Sequence, residues 1–341
     1  MSAVIYFYML EVHKYMLLLS RNDIKDTFTM RDAVEADKKA FALTAAGRID
    51  VPLRIQIDEK CGGSFVVMAS YSQDMDVAAV KDVNIFPQNM DKGLKTAPAQ
   101  VMLVDGVTGY ITAIIDGDYV TKIRTGGASG AAFDVLAKKN CRKGCLIGTG
   151  GQAETQLEAM VTVRDLEEVM VFDTVKERAQ EFCRKMQAEL SGCKAKFIAA
   201  DSSDEAVEDA DMIITVTSSP VPVFDATKVK AGATLSCVGT FQPEKHEMDP
   251  RILDRASKVF CDQREAVLGE SGDLIIPINE GTFDADRVVN LGDVINGIAA
   301  GRENDDEIIV FETVGVGAQD LIASKVIYDK AVAAGAGLNW E

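Results

Sequence analysis

Gly144-Cys-Leu-Ile-Gly-Thr-Gly-Gly-Gln-Ala153 is the stretch on which the fold turns. A short apolar run breaks into glycines and then into helix-forming residues, which reads as strand, tight turn and helix. Residues 154–164 carry the apolar spacing of a helix, and residues 169–172 form a buried-strand run that ends in Asp173. The unit then repeats. A helix is expected over 176–190, a strand over 195–198, a helix over 203–210 and a strand over 212–216, with further strands at 234–238 and Lys258–Cys261. Strands alternating with helices of this length pair in parallel through right-handed crossovers, so the centre of the chain is expected to be a doubly wound parallel sheet with helices on both faces.

The glycines bring chemistry with them. A turn at Gly148 and Gly150 lets the backbone approach a pyrophosphate, and the next helix offers its N–H groups and the positive end of its dipole. Ala153 fills the third position of the dinucleotide fingerprint, and Asp173 follows Gly148 by 25 residues, near the usual spacing of about 20. Asp173 is placed to accept hydrogen bonds from the adenosine ribose and to repel the extra phosphate of NADP, so the expected cofactor is NAD.

Composition limits the alternatives. A chain of 341 residues with 47% apolar residues can bury more than one core and is expected to form about two domains. A formal charge of −17 opposes binding to nucleic acid or to anionic membrane surfaces. The seven cysteines are scattered, with no C-x-x-C pair and two histidines to help them, so no metal site is expected. They read as buried thiols in a reducing, cytoplasmic compartment. The apolar run at residues 4–10 is too short to span a bilayer and reads as an extra strand or a disordered leader before Met16.

Residues 16–122 have a different texture. An early helix at 31–46 precedes alternating apolar runs at 64–69, 101–105 and Ile111–Asp116, the pattern of a mostly antiparallel sheet. Asp105-Gly106 and Asp116-Gly117 read as hairpin turns between such strands. Arg54 and Lys81 within this region and Arg124 just beyond it are three cations that on composition alone are ordinary surface charges.

Taken together, Met16-Leu-Leu-Leu-Ser-Arg-Asn-Asp-Ile24, Val80-Lys-Asp-Val-Asn84, Ile123-Arg-Thr-Gly-Gly127, Ile147-Gly-Thr-Gly-Gly-Gln-Ala153, Ile214-Thr-Val-Thr217 and Val314-Gly-Val-Gly-Ala-Gln-Asp320 resemble the ornithine cyclodeaminase/μ-crystallin family. The resemblance runs from Met16 almost to the C-terminus. It implies a substrate-binding and dimerisation domain of α+β type over 1–124 with 314–341, and a Rossmann NAD-binding domain over 125–313. It also implies a homodimer and a substrate held between the domains beside the nicotinamide. Arg54, Lys81 and Arg124 fall on positions that hold the substrate α-carboxylate, a group well served by a bidentate guanidinium and an ammonium. Cofactor contacts carry over to Arg124, Thr125, Gly148, Gly150, Gly151, Gln152, Ala153, Asp173, Thr215, Thr217, Val238, Gly239 and Gly315. Gln56, two residues from Arg54, either faces the same pocket or is solvated.

One departure bears on the reaction. Cyclodeaminases and the alanine dehydrogenase of the family carry an Asp shortly after the fifth strand, where this chain reads Val238-Gly-Thr-Phe-Gln-Pro-Glu-Lys-His246 and places Phe241. A phenyl ring cannot assist proton transfer at an amine. The expected activity is therefore NAD(H)-dependent reduction of an imino acid or ketimine, such as pyrroline-2-carboxylate, or the reverse oxidation of the amino acid. Ornithine cyclodeaminase (an ammonia lyase forming proline), alanine dehydrogenase and a non-enzymatic NAD(H)-binding protein are the alternatives. His246 is either an acid that replaces the missing carboxylate or an exposed loop residue.

Overall fold

The structure, a computed structural model, describes residues 15–60 and 62–341; the apolar run at 4–10 and Cys61 lie outside the described residues. Two sheets organise the chain. The first holds β1 (Met16–Leu19), β2 (Ile49–Asp50), β3 (Ile55–Asp58), β4 (Ser64–Ser72), β5 (Val77–Ile85), β6 (Ala99–Asp105), β7 (Ile111–Asp116) and the C-terminal β16 (Leu338–Trp340). Its order is β16-β1-β7-β6-β5-β4-β2, with β3 also beside β4. Pairing is antiparallel except between β1 and β7. Helices α1 (Arg21–Thr27) and α2 (Met30–Ala45) follow β1, each opened by a capping box, Ser20 with Asp23 and Thr29 with Asp32.

The second sheet is wholly parallel. It contains β8 (Lys143–Ile147), β9 (Glu168–Phe172), β10 (Lys196–Ala199), β11 (Met212–Thr215), β12 (Thr234–Cys237), β13 (Lys258–Cys261), β14 (Val288–Asn290) and β15 (Ile309–Glu312). The order β10-β9-β8-β11-β12-β15-β13-β14 reverses direction between β8 and β11, the switch point at which a Rossmann sheet opens its binding crevice. The central strands are buried on both faces, as β11 shows with Met212, Ile213, Ile214 and Thr215 all enclosed.

Helix α3 (Gly117–Leu136) joins the two sheets and touches both, its Ser129 hydroxyl sharing a 2.8 Å hydrogen bond with Ser236 of β12. The crossovers of the parallel sheet include α4 (Ala153–Val163), α5 (Lys176–Glu189) and α6 (Ser203–Val207). The helix expected over 203–210 stops at Val207 because Glu208 turns to extended backbone (φ −63°, ψ 127°), and Asp209 then adopts φ 63°. The small residues of α3, Gly126 to Ala132, let α2 and α4 pack closely on either side. The expected boundary at 124/125 therefore falls inside one continuous helix. Asp116-Gly117 is not a hairpin turn: Asp116 is the N-cap of α3, its side chain accepting from the Tyr119 amide at 2.8 Å. A capping aspartate and a turn aspartate look alike in sequence because both bind nearby amides. Asp105-Gly106, by contrast, does open the β6–β7 connection.

Helix α7 (Arg251–Arg255) leads into β13, and α8 (Arg264–Glu270), α9 (Gly272–Asn279) and α10 (Leu291–Ile295) follow it. The chain then returns through β15 to α11 (Gly317–Ala334). Helix α11 lies on β4, β5 and β6 and against α2, so the last helix is packed on the first sheet.

Candidate active site

Three cations far apart in sequence meet where α11 begins. Strand β5 alternates, turning Val77, Ala79 and Lys81 to the buried face under α11. Lys81 is 1% exposed, and its Nζ lies 2.7 Å from Oδ2 of Asp320 in the first turn of α11. The other carboxylate oxygen, Oδ1, accepts from Nε of Arg124 at 3.1 Å, so Asp320 holds both cations. Arg124, buried in the middle of α3, also donates to Oε1 of Gln319 at 3.5 Å. Arg54, in the segment between β2 and β3, donates through Nη2 to the carbonyls of Val314 and Gly315 at 3.0 and 2.9 Å. It also pairs with Glu270, Nη2 to Oε2, at 2.6 Å.

Burial drives the electrostatics. Desolvation and the neighbouring Arg124 lower Lys81 to about 7, against the pull of Asp320. Burial alone would raise Asp320, but Arg124 and Lys81 outweigh it and hold that carboxyl below its usual range. Glu270 moves the other way, raised by burial despite Arg54. Asp262, also raised by burial, secures the turn before α11 by accepting from the Thr313 hydroxyl and the Val314 and Gly315 amides at 2.7, 3.1 and 2.8 Å. Behind Gln319 lies Asp37, which burial raises well above the usual carboxylate range and which accepts from Gln319 Nε2 at 2.9 Å.

The glycine turn lies in the crevice at the carboxyl ends of β8 and β11. Gly148 has φ 103°, a conformation that favours glycine, and a side chain there would press on the Val216 carbonyl. Gly150 and Gly151 face open space, and no side chain caps α4 after Gln152. These features suit a pyrophosphate lying against backbone amides. A cleft of about 1050 Å³ runs from Gly148–Gly151 past Asp173 and Arg178 to residues 216–223, with Met90 contributing from the first sheet's side. Asp173 accepts from the Thr149 amide and hydroxyl at 3.2 and 2.5 Å and from the Val175 amide at 3.0 Å. Burial opposes ionisation there, yet these bonds keep the carboxyl below its usual range.

The remaining expected positions fall as follows. Thr125 adjoins Arg124 in α3 and donates to the Thr121 carbonyl at 2.6 Å. Ala153 is buried at the start of α4. Thr215 is wholly buried in β11, so its neighbours Val216 and Thr217 are the ones that meet the cleft. Val238 and Gly239 directly follow β12, and Gly315 lies against Arg124. Gln56 is exposed, donating to Asp58 at 2.7 Å and Ser64 at 3.4 Å, which answers the choice between pocket and solvent in favour of solvent. Phe241 is 45% exposed. His246 is half-buried, and its Nδ1 makes no hydrogen bond among the described residues.

Asp320, Glu270, Asp262, Gln319 and Asp37 were not singled out from sequence. Asp320 had a signal: it closes the Val314–Asp320 match, and a carboxylate in the first turn of a helix whose residues 317–324 are all buried has to be paired.

The chain matches the model of the ornithine cyclodeaminase/mu-crystallin family over residues 14–335. It is 36% identical over 326 residues to a Delta(1)-pyrroline-2-carboxylate reductase of Bacillus cereus, covering 94% of this chain and 98% of that one. Among solved structures it is similar to Thermococcus litoralis Delta(1)-pyrroline-2-carboxylate reductase in complex with NADH and L-proline. The TM-score is 0.90 and the identity 35%, covering 95% of this chain and 100% of that one. It is also similar to an archaeal alanine dehydrogenase dimer with bound NAD, with TM-score 0.88 and identity 32% over 96% of this chain and 99% of that one. The chain belongs to the ornithine cyclodeaminase/mu-crystallin family.

Proposed function

We propose that this chain is an NAD(H)-dependent oxidoreductase that reduces a small imino acid or ketimine, pyrroline-2-carboxylate foremost, to the amino acid. The convergence of Lys81, Arg124 and Arg54 at the start of α11 carries this reading. Three cations in a largely desolvated place suit a carboxylate, which two guanidinium groups and an ammonium can fix in one orientation. The first sheet with α11 acts as the substrate-binding part, and the parallel sheet as the cofactor-binding part.

NADH, when bound, supplies a hydride to the α-carbon of the C=N bond. This chain's residues hold and orient the substrate. At Arg54 the incoming carboxylate takes over from Glu270, whose raised pKa eases the exchange. Lys81 gains a second anionic neighbour when the substrate binds, which favours its charged form and lets Nζ donate toward the imine nitrogen. Orientation supplies most of the rate, because an iminium is already electrophilic. Phe241 in place of an aspartate disfavours the cyclodeaminase alternative. The same site run backwards oxidises an amino acid, the direction named for the alanine dehydrogenase relative.

A homodimer fits the surface. Leu53, Ile55, Ile57 and Phe65 expose apolar side chains on and beside β3, an edge strand, and such a patch is costly to leave in water. The described cysteines are free thiols, as suits a reducing cytoplasm.

The test is a screen that follows NADH absorbance with pyrroline-2-carboxylate, piperideine-2-carboxylate, and pyruvate with ammonia or methylamine, alongside the Lys81→Ala variant. We expect stoichiometric NADH oxidation with at least one imino acid and its near loss in the variant. Wild-type kcat/KM in Lys81→Ala would show that the pocket is misplaced.

A further inference from the structure

Glu247 takes no part in the chemistry described so far, yet it joins two walls of the cofactor crevice. It is 0% exposed. Its Oε2 accepts from the Thr217 amide at 2.7 Å and the Thr217 hydroxyl at 2.6 Å, and its Oε1 accepts from the Gly239 amide at 2.8 Å. Thr217 follows β11 and Gly239 follows β12, neighbouring parallel strands whose carboxyl ends border the second half of the crevice. The loops approach closely here: any side chain at Gly239 would overlap the Thr217 carbonyl and the Glu247 carboxylate.

Glu247 is itself anchored. Its carbonyl accepts from the Val223 amide at 2.9 Å, and the next residue, Met248, donates its amide to Asp273 at 2.8 Å. Burial and the nearby Asp273 push the Glu247 carboxyl up to about 7 while its three donors pull it down, so the charged form prevails in mildly alkaline solution. We propose that Glu247 is a positioning residue that fixes the spacing of loops 216–219 and 238–241, and thereby the seat of the nicotinamide half of the cofactor. This rests on the NAD reading above. A carboxylate suits the task because both its oxygens accept, so one side chain satisfies N–H groups of two loops at once. Glutamine offers one accepting oxygen, and its NH₂ group would meet a donor on the other loop. Aspartate keeps the charge and lacks the reach.

The experiment measures binding of NADH and of ADP to the full-length protein, wild type and Glu247→Gln, by fluorescence and calorimetric titration in mildly alkaline buffer, with thermal melting of each protein without ligand. ADP lacks the nicotinamide riboside and so probes the Gly148–Asp173 half of the cleft without it. Losing a charge-assisted bond at one loop should weaken NADH about tenfold. ADP affinity should stay within about twofold, while the melting temperature should fall, because the glutamine NH₂ group faces a buried donor. Unchanged NADH affinity, or NADH and ADP weakened by the same factor, overturns the inference, since a merely structural residue gives one of those results. If Glu247→Gln does not fold, Glu247→Asp is put to the same two titrations with the same expectations. Wild-type protein that binds neither NADH nor ADP overturns the cofactor reading and this inference with it, whereas wild-type binding with indifferent variants overturns this inference alone.

Discussion

Asp320 serves Lys81 and Arg124 at once, with one oxygen 2.7 Å from Nζ and the other 3.1 Å from Nε, and it is almost fully buried. Two cations that would repel each other in a desolvated site are thus held together by one shared counter-charge. Removing one partner from a buried ion pair costs about 3–5 kcal/mol because the other charge is stranded. Asp320→Asn strands two, although Lys81 can shed its proton, so a loss near the lower end, about 3 kcal/mol, is expected. Denaturant unfolding without ligand measures it, and kcat/KM for the best imino acid should fall in parallel. A variant with both wild-type stability and wild-type kcat/KM would mean that the two cations need no counter-charge.

Lys81, lowered to about 7, should make activity depend on pH near neutrality. As pH rises through 7 in the free enzyme, the ammonium is lost and the substrate carboxylate loses a partner, so kcat/KM should fall. Bound substrate adds negative charge and raises the lysine's pKa, so the corresponding limb of kcat should lie at higher pH. Stability runs the other way. From about 7 up to the usual lysine range the unfolded chain holds more protons than the folded one, so this residue's contribution rises with pH. Binding of pyrrole-2-carboxylate, followed from pH 6 to 9 in wild type and in Lys81→Arg, isolates the effect. Wild-type binding should weaken with pH and the variant's should stay level; a flat wild-type profile would remove the titrating lysine from the site.

The parallel sheet was legible in sequence because its signals are local. Short apolar runs, a glycine turn and an acidic residue at fixed spacing report directly on β8, α4 and β9. Arg54, Lys81 and Arg124 could not be told from surface charges until the family resemblance placed them. Their burial depends on the arrival of α11, whose Asp320 lies 196 residues beyond Arg124. The carboxylates that answer them were harder still. Glu270 and Asp262 lie among ordinary acidic residues of an acidic chain, and nothing near them in sequence indicates a cation partner. Asp116 misled for a local reason: the same side chain caps a helix as readily as it closes a turn.

On the proposed reading, Asp173 governs the choice between cofactors. Its carboxylate is kept ionised by Thr149 and the Val175 amide, where a ribose hydroxyl would find an acceptor and a 2′-phosphate would find a like charge. NADH should therefore exceed NADPH in kcat/KM. Arg178 lines the same cleft, so Asp173→Asn should narrow the preference by removing the repulsion and leaving a guanidinium for the phosphate. Equal use of both cofactors by wild type, or an undiminished preference in the variant, would show that discrimination lies elsewhere.

On the proposed reading, Phe241 separates reductase from cyclodeaminase. It follows β12 directly after Val238-Gly-Thr, where the family resemblance implies an aspartate in cyclodeaminases, and the residue is 45% exposed. Losing one positioned acid/base group commonly costs about 10²- to 10⁴-fold. Ornithine with NAD should therefore yield little or no proline and ammonia, while pyrroline-2-carboxylate with NADH is turned over stoichiometrically. Phe241→Asp restores a carboxylate without altering the glycine turn or Asp173, and because the replaced ring is already half in solvent the change should cost the fold little. Any gain of proline formation in that variant, measured with NAD in catalytic amount, would place the missing proton transfer at this position. Robust proline formation by the unmutated protein with no net NADH would overturn the reductase reading and direct attention to His246, whose buried Nδ1 makes no hydrogen bond among the described residues five positions further on.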